Sequence, residues 1–166
     1  LTLAKRIGYQ PADEAYALGL FHNCGIPLML KRFPEYMGVL EQAYAGATDE
    51  VRVVDGENDR LNTNHAVVGY YVAKSWNLPK HLCEAIANHH NVQTVFSEDS
   101  SRNSQLKTLL AILKMAENIC ACYRTLGQQD EDFEWASIET TILEYVGFSE
   151  YDFQILKESI RDLDIS

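Results

Sequence analysis

The sequence predicts an all-α fold, a helical bundle with additional helices at its C-terminus, and three observations carry that prediction. Apolar residues recur at three- and four-residue spacings through most of the 166 residues. Prolines and glycines punctuate those segments in the places where helices begin and end. The one β-like run, VRVV at 51–54, has no second strand-like run to pair with.

In chain order, LTLAKRIG reads as the end of a helix already under way, so a longer polypeptide with an upstream domain is expected. Pro11 opens a helix through AYALGLFHN, because proline suits the first helical position. Gly25 and Pro27 close it. Pro34 starts PEYMGVLEQAYAG, which ends at Gly46. Residues 48–61 read as a turn or short helix. Asn62 or Thr63 caps NHAVVGYYVAKSW, and Pro79 starts LPKHLCEAIANHH. SEDSSRNS at 97–104 is polar and turn-rich, a mobile loop. Gln105 to about Arg124 forms the longest helix, ending near Gly127. QQDEDFE is a solvated acidic connection. Two helices follow: WASIETTILEYVG, and one whose Ser149 and Asp152 make a capping box. Residues 1–127 are expected to form a core whose N-terminal part is missing, with 128–166 packed on it as an extension.

The formal net charge of −10 argues against passive attraction to nucleic acid or an anionic membrane, and no Lys/Arg cluster appears in the sequence. No apolar run reaches spanning length and no signal peptide is visible, so the expectation is a cytoplasmic protein. Cys24, Cys83, Cys120 and Cys122 form no C-x-x-C pair and sit among apolar neighbours, as free thiols do in a reducing compartment. Cys120 and Cys122 point to different sides of a helix and make a poor ligand pair.

Helical spacing aims several polar groups inward. His22 follows Ala15 and Leu18. His65 heads the stripe Val68/Gly69, Val72, Trp76. Leu82 and Ile86 lead to His89 and His90, and Leu106, Leu109/Leu110 and Leu113 lead to Glu117. A buried carboxylate without a partner costs on the order of 3 kcal/mol or more, so Glu117 needs a cation or hydrogen-bond donors. Histidines and a carboxylate turned into a bundle core are a common metal site. His81 lies off its stripe and reads as a surface residue.

GLFHNCGIPLML resembles the G-L-L-H-D-I-G helix of the HD-superfamily metal-dependent phosphohydrolases. NHAVVGYYVAKSWNLPKHLCEAIANHH is similar to the HDOD domain, the HD-related output domain of bacterial signalling proteins, and KMAENIC falls where that family carries L-A-D. The resemblance covers roughly residues 1–125 and implies an HD-like helical core. It also implies a metal set of His22, Asn23, His65, His89, His90 and Glu117, with a first histidine upstream of Leu1. Asn23 stands where the superfamily has aspartate, and a neutral carbonyl is a much weaker ligand for a hard dication. HHNVQTVF also lacks the Gly-Tyr-Pro of the cyclic-dinucleotide phosphodiesterase branch.

Three functions follow. The first is a signal-transduction output or interaction module with a degenerate, non-catalytic HD site, in which the histidines and Glu117 form a network that fixes how the helices meet. It acts on protein partners in a signalling pathway, with no cofactor expected; if one is present, it is a divalent metal (Fe, Mn, Zn or Mg). A homo-oligomer is compatible with it. The second is a metal-dependent phosphohydrolase that keeps its ion at the histidine cluster. The third is a partner-binding helical domain whose pocket is irrelevant, suggested by Tyr36, Tyr44, Tyr70, Tyr71, Tyr145 and Tyr151, too many to be core.

Overall fold

A computed structural model describes residues 1–48, 50–98 and 103–163, and among them there are helices and no strand. The order is α1 (Thr2–Ile7), α2 (Ala12–Phe21), α3 (Ile26–Arg32), α4 (Tyr36–Ala45), α5 (Val53–Leu61), α6 (His65–Ser75), α7 (Lys80–Asn88), α8 (Val92–Ser97), α9 (Ser104–Ile119), α10 (Cys122–Gly127), α11 (Phe133–Val146) and α12 (Glu150–Leu163).

The boundaries differ from the sequence reading where a local group outcompetes the pattern. Pro27 ends nothing: it sits in the first turn of α3, where its missing N–H is no loss. The short helix read over 48–61 forms: Asp55 accepts from the Arg52 backbone N–H at 2.9 Å and nucleates α5, burying Val53 and Val54. Asn62 ends α5 in the left-handed conformation, and the cap of α6 is Asn64, whose Oδ1 accepts from Val67 N–H at 2.9 Å. The expected long helix breaks at Ala121, at φ 54°, giving α9 and then α10. Val92–Ser97 is a helix that the sequence reading did not anticipate. The mobile-loop expectation falls mainly on residues 99–102, which lie outside the described residues. The Ser149–Asp152 box forms as read: Ser149 N–H reaches Asp152 Oδ2 at 2.9 Å, and Asp152 N–H reaches Ser149 Oγ at 3.1 Å.

α9 is the axis of the core. Leu109, Leu110, Ala111 and Met115 are fully buried, and α2, α7, α8, α11 and α12 pack around them. A second apolar cluster joins α3, α4 and α5 through Met29, Tyr36, Leu40 and Val53. The extension beyond residue 127 packs on the first part of the chain, α11 against α4, α8 and α9, and α12 against α9.

One close approach sets the geometry of the polar centre. Gly25, just after the turn that carries His22 and Asn23, lies so near α6 that a Cβ would stand 2.1 Å from the His65 carbonyl oxygen and 2.8 Å from Gly69 N. Gly69 in turn faces Ile86 of α7, where an added Cβ would be 3.0 Å from Cγ2. Gly25→Ala must therefore push the turn away from α6. A loss of about 2–3 kcal/mol is expected, read as a lowered urea midpoint at unchanged m.

Candidate metal centre

His65 opens α6, and His89 and His90 follow the last turn of α7; all three are buried. Their Nε2 atoms converge, with His65 3.1 Å from His89 and 3.2 Å from His90, and one ligand atom from each ring lies within 4.8 Å of the others. Each Nδ1 faces an acceptor. His65 Nδ1 lies 2.9 and 3.0 Å from the two Glu57 oxygens, His89 Nδ1 2.7 Å from the Ile86 carbonyl, and His90 Nδ1 2.6 Å from Glu134 Oε1. Those partners accept and do not donate, so they assign the proton of each neutral ring to Nδ1 and leave a lone pair on Nε2.

Three lone pairs aimed at one another cannot hydrogen-bond; they call for a shared electropositive atom. Donors about 2.1 Å from a common ion stand roughly 3.0–3.4 Å apart at tetrahedral or octahedral angles. The two spacings from His65 match, and carboxylate-backed imidazoles are how proteins orient metal-binding histidines. His65, His89 and His90 can thus hold a divalent metal ion.

Glu57 is the best-satisfied acid. It is fully buried and accepts from Tyr36 Oη–H at 2.6 Å, from the His65 backbone N–H at 2.9 Å and from the His65 ring. Burial first, and then Glu57, hold the Tyr36 phenol far above its usual range, so it stays a donor.

The other half of the centre comes from α2, α9 and α11. His22 Nδ1 lies 2.9 Å from the Gly19 carbonyl, which again leaves the lone pair on Nε2. That atom is 3.2 Å from Glu117 Oε1 but is not aligned for a hydrogen bond, and it has no other partner. Asn23 Oδ1 is likewise buried without a partner. Glu117 Oε2 is held 2.8 Å from Lys114 Nζ, and the same ammonium lies 3.0 Å from Glu134 Oε2. Burial opposes all three charges. Lys114 overcomes it at Glu117, whose carboxyl is held well below the usual range, and the two acids overcome it at Lys114, whose ammonium is raised. At Glu134 burial prevails and the carboxyl is raised.

The structure therefore groups His65, His89 and His90 and sets His22 beside them, its ring centroid 5.4 Å from that of His89. Glu117 faces Lys114 and His22, whereas His65 and His90 take Glu57 and Glu134. The single histidine–Glu117 network of the sequence reading is in fact two linked halves. Glu57, Lys114, Glu134 and Tyr36 were missed. Lys114 lies four residues after Leu110 and three before Glu117, and Glu57 lies three and four after Val54 and Val53, so helical spacing alone could have aimed both inward. Glu134 carries no such signal. It lies in the acidic stretch read as solvated, but Asp132 caps α11 by accepting from Trp135 N–H at 2.9 Å and also accepts from Asn118 Nδ2 at 2.9 Å, which turns Glu134 inward. His81 is half-buried and pairs with Glu14 at 2.9 Å.

A bundle of HD-type helical architecture around a histidine cluster is the class of protein that this fold and site define. The comparisons agree. The profile of the HDOD domain matches residues 1–92, and the chain belongs to the HDOD family of the HD superfamily. An uncharacterized protein of Treponema pallidum (strain Nichols) is 32% identical over 93 residues, 55% of this chain and 18% of that protein. The crystal structure of a Shewanella amazonensis SB2B protein, provisionally named a phosphohydrolase, superposes with a TM-score of 0.63 at 25% identity, covering 98% of this chain and 54% of that one. The chain thus spans about half of the solved relative and under a fifth of the curated one.

Burial first, then neighbouring cationic groups, hold the His89 and His90 rings well below the usual histidine range. In the metal-free protein the unfolded chain takes up protons near pH 6.5 that the folded chain refuses. Stability is then retained above that pH and lost on acidification, by up to about 1.4 kcal/mol per pH unit for each ring. Urea midpoints of chelator-treated protein are expected to fall between pH 7 and 5.5, with a flatter slope in His89→Gln; equal slopes would contradict the assignment.

Proposed function

We propose that this chain is a signal-transduction output or interaction module with a non-hydrolytic HD-type centre, and that one divalent ion on His65, His89 and His90 ties α6 to the end of α7. The observation that carries this reading is the commitment of the acids. A two-ion centre, which clamps both the attacking and the leaving oxygen of a phosphoryl transfer, needs carboxylates free to hold its second ion. Asn23 offers a neutral oxygen, and Glu117, the acid nearest His22, is engaged by a buried ammonium 2.8 Å away. Glu57 and Glu134 orient imidazoles from behind. Among the described residues, those beside the cluster bind and orient, and none is a free carboxylate base.

An interaction role is supported by the outer face of α2 and α6. Tyr16, Leu20, Tyr71 and Trp76 are all more than half exposed, and Trp76 packs edge-on against Phe21 at 5.5 Å, so part of this apolar surface is continuous across the two helices. Protein partners in a bacterial signalling pathway suit such a surface, and tyrosine and tryptophan are common at interface cores. The phosphohydrolase reading keeps one observation in its favour, the ready-made histidine cluster itself.

Purified chain loaded separately with Mn, Fe or Zn and supplied with bis(p-nitrophenyl) phosphate distinguishes them. No turnover above a His89→Ala/His90→Ala control is expected. Metal-dependent turnover that disappears in His89→Ala would replace the module reading with the hydrolase one.

A further inference from the structure

Lys114 is the one buried lysine among the described residues, 3% exposed, and its ammonium lies between two carboxylates that each have a second oxygen facing a histidine. Glu117 turns Oε1 to His22 Nε2, and Glu134 turns Oε1 to His90 Nδ1. We propose that Lys114 is a built-in substitute for a second metal ion: its ammonium supplies the positive charge that His22, Glu117 and Glu134 would otherwise draw from a dication, so the centre takes one ion and not two.

Three features on this side of the centre suit a cation. His22, itself 8% exposed, has an inward Nε2 lone pair without a partner. Its 3.2 Å distance to Glu117 Oε1 matches two ligands of one ion. The set of one imidazole and two carboxylates suits Mn, Fe or Zn. Lys114 Nζ occupies the space between Glu117 Oε2 and Glu134 Oε2 that such an ion would need.

The inference rests on the metal reading of His65, His89 and His90, but its test is separable from it. Chelator-stripped chain is equilibrated with excess Mn or Zn, dialysed, and its metal content measured by inductively coupled plasma mass spectrometry. One ion per chain is expected for the native sequence, two for Lys114→Met, and one again for Lys114→Met/His22→Ala. Lys114→Gln, whose amide can donate to both carboxylates, is measured in parallel, because Lys114→Met leaves two buried acids without their cation and can fail to fold metal-free. Recovery of the Lys114→Met circular dichroism and melting transition on adding Mn counts for the inference. Folded Lys114→Met and Lys114→Gln binding no more metal than the native chain would overturn it. A native chain with no bound metal defeats the histidine-cluster reading alone, since the lysine inference is scored on the ion gained on substitution and lost again without His22.

Discussion

Three carboxylates largely withdrawn from solvent, Glu57 fully buried and Glu117 and Glu134 with 11% and 17% of their side chains exposed, constrain this molecule more than any other feature. An acid buried without compensation costs several kcal/mol, a large part of the total stability of a domain this size. Glu57 meets the requirement with hydrogen-bond donors from α4 and α6, Glu117 with an ammonium one turn back on its own helix, and Glu134 with the same ammonium and a histidine after α7. Every one of these pairings except Lys114–Glu117 crosses between helices. The relative placement of α4, α5, α6, α9 and α11 is therefore a condition for burying the charges at all.

Apolar packing and the glycine contact make that placement possible. α9 gives the bundle its axis, and the missing Cβ of Gly25 lets the His22–Asn23 turn reach α6. Proximity alone would leave four imidazoles free to adopt either tautomer. The carbonyls of Gly19 and Ile86 and the carboxylates of Glu57 and Glu134 settle that choice and turn every Nε2 inward. Fold and site are in this sense one arrangement: the groups that satisfy the buried acids are the same groups that prepare the lone pairs.

Much of this was legible in the sequence, for physical reasons. Helical period and spacing placed His22, His65, His89, His90 and Glu117 on inward faces, and all five are buried or nearly so. The HDOD resemblance, which matches the family that the chain proves to belong to, rested on spacings that a bundle preserves. What escaped notice was polar pairing over long sequence separations. Tyr36, read among tyrosines too many to be core, is fully buried because Glu57, 21 residues on, accepts its hydrogen bond. Glu134 looked like part of a solvated run because its partners lie 20 and 44 residues back. Val53 and Val54 are β-branched and strand-like in isolation, but with no partner strand the segment read as a turn or short helix, and the Asp55 cap and burial of both valines make it α5.

Lys114 links these themes. A lysine is an expensive way to neutralise buried acids, since its own charge must be desolvated too, and an apolar residue with neutral partners would pack at less cost. Its advantage is permanence. A metal site is filled only while metal is available and the ligands are deprotonated, whereas an ammonium on a helix is present in every copy of the chain. Under the proposed reading, Lys114 would keep α9 and α11 joined whether or not the histidine cluster holds an ion, and only the α6–α7 side would respond to metal. A two-ion hydrolase would need metal in both halves of such a centre. A module that presents a fixed surface to a partner needs them only to hold their shape, and a covalently attached cation does that without depending on supply.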